Sequence, residues 1–141
     1  MNAAIRSLVR SALYNNVECV GYYRGYQGLI EDDFKFLGLR DVSQRLGLGG
    51  TFLKSARSTD FFDIAYRKKA LENLKSKGVQ VLVVIGGNGS IKGASVFSND
   101  FGFPVIGIPA SIDNDIYATD HSIGFDTSLN TITNAIDKIR D

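Results

Sequence analysis

The chain has 141 residues, 44% of them apolar and 22% charged, with a formal net charge of +1. That suits one folded domain with its own core. A charge so near zero gives no electrostatic case for nucleic acid or an anionic membrane, and no apolar run reaches membrane-spanning length.

The first residues, Met1-Asn2-Ala3-Ala4-Ile5-Arg6, have no apolar signal core, so secretion is not expected. Ala4, Ile5, Leu8, Val9, Ala12 and Leu13 recur with helical spacing, which predicts a helix over 2–14 with Asn2 as its N-cap. Arg6 and Arg10 lie one turn apart on a neighbouring face. Asn15-Asn16 reads as a turn, and Val17 to Tyr23, rich in strand formers, as a strand. Cys19 inside it reads as a small buried apolar residue. As the single cysteine it cannot form an internal disulfide, so a reducing, cytoplasmic setting is expected.

Gly25-Tyr26-Gln27-Gly28-Leu29 reads as a loop, 34–37 as a short edge strand and 41–46 as a short helix opening near Asp41. Gly47 to Thr51 is a flexible turn leading into Lys54-Ser55-Ala56-Arg57-Ser58. That basic pair either faces a phosphate or lies in a solvated loop. A helix is expected from a cap at Thr59 or Asp60 to about Lys77, with Ala70, Leu71 and Leu74 inside and Gly78 ending it.

Val81-Leu82-Val83-Val84-Ile85 is an unbroken branched apolar run, expected to be a strand over 80–85 buried on both faces. It opens into Gly86-Gly87-Asn88-Gly89-Ser90, and a helix over 90–98 follows. Asn99-Asp100 and Gly102 read as loop, and 104–108 as a second buried strand. This strand opens into Pro109-Ala110-Ser111-Ile112-Asp113-Asn114-Asp115, and 109–124 as a whole reads as a long loop. A last helix, capped at Asp126 or Thr127, would turn Leu129, Ile132, Ile136 and Ile139 inward. Strands alternating with helices predict the α/β class: a doubly wound, mostly parallel sheet with helices on both faces. Such sheets bind ligands beyond the carboxyl ends of their strands, where both phrases lie.

The glycines at 86, 87, 89 and 93 would let a phosphate come close to the backbone, with the dipole of the following helix behind it. The spacing fits neither the P-loop nor the dinucleotide fingerprint, and such a turn can equally be structural. Asp113 and Asp115, if extended, share one side and would need a cation or proton between them; otherwise they form Asx turns in a solvated loop. With both phrases at successive strand ends, a phosphoryl-transfer site is the better reading. His121, the lone histidine, is assigned no role.

Four ordered phrases resemble the N-terminal part of bacterial ATP-dependent 6-phosphofructokinases. They are Met1 to Arg6, Gly49-Gly50-Thr51-Phe52-Leu53-Lys54-Ser55-Ala56-Arg57, Val83 to Ser90, and Ser111-Ile112-Asp113-Asn114-Asp115. The resemblance implies transfer of the γ-phosphoryl of ATP to the 1-hydroxyl of fructose 6-phosphate, a glycolytic step. It implies Asp113 as the base, Ser111 and Ile112 at the sugar, and Asp115 supporting Mg²⁺. Arg57 would contact the nucleotide phosphates with Ser58 beside it, Gly87 to Ser90 would cradle them, and Gly93 would let the nucleotide lie close. Arg6 and Arg10 would belong to an effector site between subunits, for ADP or phosphoenolpyruvate, in a homo-tetramer. Small residues at Gly89 and Ala110 favour ATP over pyrophosphate. Asn88 stands where the family usually has an Mg²⁺-binding aspartate, while Gln44 and Leu48 replace charged residues near the effector site. A pyrophosphate-dependent enzyme and a non-catalytic nucleotide-binding regulator remain alternatives. By the same resemblance, residues 1–141 form a partial nucleotide-binding domain, without its first strand and without the sugar-phosphate domain, and are expected to have no turnover alone.

Overall fold

The computed structural model describes residues 1–140. Helix α1 spans Asn2–Tyr14, as its apolar spacing predicts, with Ile5 and Val9 buried. Its N-cap, however, is Met1, without a side-chain cap bond. Asn2 is only 4% exposed. Its Nδ2 donates to Leu48 O (3.0 Å) and Gly49 O (3.3 Å), and its Oδ1 accepts from Phe52 N (2.8 Å). It ties the glycine turn to the helix instead of capping it.

Strands β1 (Val20–Tyr22) and β2 (Phe34–Phe36) form an antiparallel pair, with Val20 opposite Phe36. Between them lies a helix, α2 (Tyr26–Glu31), where a loop was expected. The two glycines that suggested a loop serve other ends. Gly25 supplies a left-handed entry (φ 60°), and a Cβ on Gly28 would lie 1.7 Å from Tyr23 O. The expected helix at 41–46 is a run of turns. Asp41 Oδ2 accepts from Gly38 N (2.9 Å), and Val42 is fully buried, so local capping and one anchor replace helical hydrogen bonds.

The helix expected from Thr59 or Asp60 is split. A 3₁₀ turn covers Asp60–Phe62, and α3 (Ile64–Ser76) starts anew at Asp63, whose Oδ1 accepts from Ala65 N at 2.8 Å. Ala70, Leu71 and Leu74 are buried as expected, and Gly78 follows the helix with φ 66°. Strand β3 (Leu82–Gly86), helix α4 (Asn88–Phe101) and strand β4 (Val105–Pro109) form a parallel β-α-β unit, with Leu82 beside Val105 and Gly86 beside Pro109. Helix α4 is longer than expected at both ends. It takes in Asn99 and Asp100 because Arg67 Nε holds Asp100 Oδ2 at 2.7 Å and Gly102 (φ 62°) ends it.

Two apolar clusters form the core. One gathers Leu29, Ile30, Phe61, Leu74 and Phe97; the other gathers Ile5, Val9, Leu37 and Val42, with Ile85 of β3 against it. The fold is α/β with a parallel ladder, but β3 and β4 are not fully buried on both faces: Leu82 to Ile85 of β3 are only half-buried, and Ile106 of β4 is 54% exposed. Each ladder has two strands, so neither outer edge pairs with a further strand among the described residues. Helix α5 (Phe125–Arg140) has no buried residue, and the expected inner face of Leu129, Ile132, Ile136 and Ile139 is open. Asp126 lies within its first turn.

Candidate functional site

Strand β3 ends at Gly86, and Gly87, in extended backbone (φ −84°, ψ −169°), turns the chain directly into α4. The helix thus presents the free N–H groups of Asn88, Gly89 and Ser90 at the strand ends. Gly86 is required by packing, since a Cβ there would lie 2.6 Å from Ser90 Oγ. Gly89 is not, having no atom within 4 Å of a would-be Cβ. Gly89 lies in the first turn of α4, with open space in front of it.

Gly93, expected to admit the nucleotide, instead lies beneath Tyr26, whose ring carbon Cε2 is 3.0 Å from a would-be Cβ. Tyr26 Oη donates to Ser90 O at 2.6 Å, and its ring stacks on Phe61 with 3.8 Å between centroids. Burial raises the Tyr26 phenol pKa, which keeps it a proton donor to that carbonyl.

Strand β4 ends at Pro109, and Ala110 N donates to Gly86 O at 2.9 Å. The loop that follows closes on itself through an Ala110–Ile123 bridge. Asn114 Oδ1 accepts from Ser122 N (2.7 Å), Asn114 Nδ2 donates to Asp120 O (3.0 Å), and buried Ser122 donates through Oγ to Ser111 O (2.8 Å). The extended piece that would set Asp113 and Asp115 on one side does not form: Asn114 between them is left-handed, φ 51°. Ser111 Oγ instead accepts from Asp113 N (3.1 Å) and donates to Asp115 Oδ1 (3.0 Å). The Asp113 carboxylate is exposed and accepts no hydrogen bond among the described residues. Ile112 beside it is 65% exposed.

The two phrases are joined by one side chain. Asn88 Nδ2 donates to Asp115 O at 3.0 Å and to Asp115 Oδ2 at 3.4 Å. The free N–H groups of α4, the Ser111 hydroxyl and two carboxylates therefore share one rim. The donor set there is all oxygen, with Asp115 as the carboxylate beside the Asn88 amide and Ser111. No group of three His, Cys, Asp or Glu side chains that could hold a metal exists among the described residues. One carboxylate plus phosphate oxygens is the usual setting for Mg²⁺, so these residues fit that ion.

Arg57 and Ser58 lie on a separate loop. Ser58 Oγ donates to Gln27 Oε1 at 2.8 Å, and Arg57 is exposed and forms no ion pair among the described residues. Helix α2 links this loop to the rim, because neighbouring residues Tyr26 and Gln27 hold Ser90 and Ser58. Arg6 and Arg10 line an open depression of about 320 Å³ with Ala3, Ser7, Ser11 and Leu46, which shares no residue with the rim. Arg6 Nη1 already donates to Val42 O at 3.1 Å. His121 is exposed. Tyr26, Gln27, Asn114 and Ser122 have no counterpart in the sequence reading. Their contacts around the rim and the Arg57 loop reach residues 6 to 64 positions away, which no local pattern announces.

A family model described as phosphofructokinase matches residues 1–141. The chain is 55% identical to an ATP-dependent 6-phosphofructokinase of Staphylococcus carnosus and 50% identical to ATP-dependent 6-phosphofructokinase 2 of Bacteroides thetaiotaomicron. Both alignments cover all of this chain but only 44% and 43% of the relatives, respectively. Among solved structures it is similar to phosphofructokinase from Saccharomyces cerevisiae, with a TM-score of 0.93 and 32% identity over 99% of this chain and 22% of that one. A pyrophosphate-dependent phosphofructokinase from Marinobacter aquaeolei shares the fold at a TM-score of 0.76 and 18% identity, over 88% of this chain and 33% of that one.

Proposed function

The chain belongs to the phosphofructokinase family, and from that premise we propose that the protein carrying it transfers the γ-phosphoryl group of ATP to the 1-hydroxyl of fructose 6-phosphate. In this reading residues 1–141 supply part of the nucleotide-binding domain, and the sugar-phosphate domain lies outside them. The observation that carries the reading is the Asn88–Asp115 bond, which sets a helix N-terminus and a carboxylate loop on one rim at the ends of two parallel strands. The names of the relatives support ATP as donor, and so does the open space over Gly89.

Roles follow from position. The N–H groups at the start of α4 receive nucleotide phosphate, and Arg57, exposed and without an ion pair, adds positive charge. Asp113, whose carboxylate is unengaged, accepts the proton of the attacking hydroxyl. Ser111 holds the Asp115 carboxylate and the Asp113 backbone N–H and, with Ile112, faces the sugar. Asp115, with the Asn88 amide oxygen, would hold Mg²⁺, which when bound neutralises phosphate charge. Arg6 and Arg10 would take an anionic effector such as ADP or phosphoenolpyruvate, in a cytoplasmic homo-oligomer.

Asp113→Asn in the full-length protein should lower kcat by about 10²- to 10⁴-fold, the usual size of a lost general base, while calorimetry still detects ATP binding. An unchanged kcat would remove Asp113 from the chemistry. The 141-residue chain alone should make no fructose 1,6-bisphosphate. A non-catalytic regulator is the second reading, favoured by the neutral amide at Asn88. It requires Asn88→Asp to raise activity of the full-length protein from near zero, and a fully active wild type excludes it.

A further inference from the structure

We propose that Asn88 is a positioning residue that closes the Asp115 loop against the start of α4 without a resident cation. The inference concerns the ligand-free protein and does not depend on which phosphoryl donor the enzyme uses. Asp115 is exposed, yet both of its carboxylate oxygens have donors: Ser111 Oγ at 3.0 Å on Oδ1 and Asn88 Nδ2 at 3.4 Å on Oδ2. The same amide also holds the Asp115 carbonyl at 3.0 Å. Asn88 thus places the positive end of a side-chain dipole where a second carboxylate would place like charge. Two carboxylates at such a separation need a proton or a metal ion between them; an amide and a carboxylate need neither. The far side of the loop is held independently, by Asn114 to Ser122 and by Ser122 to Ser111, so the Asn88 contact closes its open side against α4.

The test is hydrogen exchange followed by mass spectrometry on the nucleotide-free, full-length protein, with and without excess MgCl₂. Peptides covering 111–124 are read against peptides from α3, which report whether the fold is intact. In the wild type, loop exchange should be the same with and without Mg²⁺. In Asn88→Asp it should be about tenfold faster without Mg²⁺ and slow again when Mg²⁺ is added. In Asn88→Ala it should be faster under both conditions. Slowing of the wild-type loop by Mg²⁺ alone would overturn the proposal, with no variant needed. So would an Asn88→Ala loop that exchanges as slowly as the wild type. Neither result bears on the assignment of Asp113 or on the kinase reading, which the kcat of Asp113→Asn tests separately.

Discussion

Asn2 and Asn114 are short polar residues whose sequence setting suggests a cap or a turn, yet each serves as a clamp. Asn2 spends both ends of its amide on the 48–52 turn from a nearly buried position. Asn2→Ala leaves Phe52 N without its acceptor and should cost about 2–3 kcal/mol, read by urea denaturation with an unchanged m-value. Asn114→Ala removes two bonds and leaves alanine at φ 51°. It should lower kcat of the full-length protein through the loop while barely moving the urea midpoint, because the loop lies outside both core clusters. Tyrosine ionisation works at the same scale. Burial and the nearby Asp32 carboxylate raise the Tyr22 phenol to about 12, and burial raises Tyr26 further. A phenol kept neutral by folding contributes stability below its unfolded pKa near 10 and loses it as pH rises through the folded value. Near-UV absorbance should therefore show two phenols titrating late, together with unfolding, and Tyr26→Phe should remove one of them.

At the scale of elements, α4 shows how one residue type can serve opposite ends. Gly89 faces open space and Gly93 faces the Tyr26 ring, although both sit in the same helix. Gly89→Ala should stabilise the ligand-free protein by up to about 1 kcal/mol in thermal unfolding and weaken ATP binding in calorimetry. Gly93→Ala should lower stability despite the better helix former, because it pushes the Tyr26 ring off Phe61 and strains its bond to Ser90. If both changes stabilise equally, the assignment of Gly89 to ligand room fails. Helix α2 matters for the same reason: too short to stand alone, it is held by its buried residues Gly28, Leu29 and Ile30, and it brackets the Arg57 loop against α4.

At the scale of the whole molecule, what is uncovered stands out. Leu129, Ile132 and Ile136 are each about half exposed and Ile139 is 86% exposed, a continuous apolar stripe on α5. The purified 141-residue chain should self-associate with rising concentration in sedimentation experiments, and Ile132→Lys with Ile136→Lys should suppress it. Unchanged association in the double variant would place the contact elsewhere, for instance at the open edges of the β3–β4 ladder.

Some of this was legible in the sequence because it is local. The apolar period of α1, the branched run of β3 and the glycine turn after it follow from side-chain spacing and backbone sterics, and they place both phrases at strand ends. The four phrases also pointed to the family, since their order and spacing are properties of the chain itself. Elsewhere local rules were overridden: Gly28 read as loop yet serves a close backbone approach, and 41–46 read as a helix yet is pinned by Val42. Only the tertiary structure decided that Asn2 clamps Phe52, that Tyr26 holds Ser90 and covers Gly93, and that Asn88 meets Asp115. It alone showed that the apolar face of α5 is open. A hydrogen bond or a covered face depends on what folding brings alongside, 27 to 64 residues away in those three contacts, and local periodicity carries no record of such a partner.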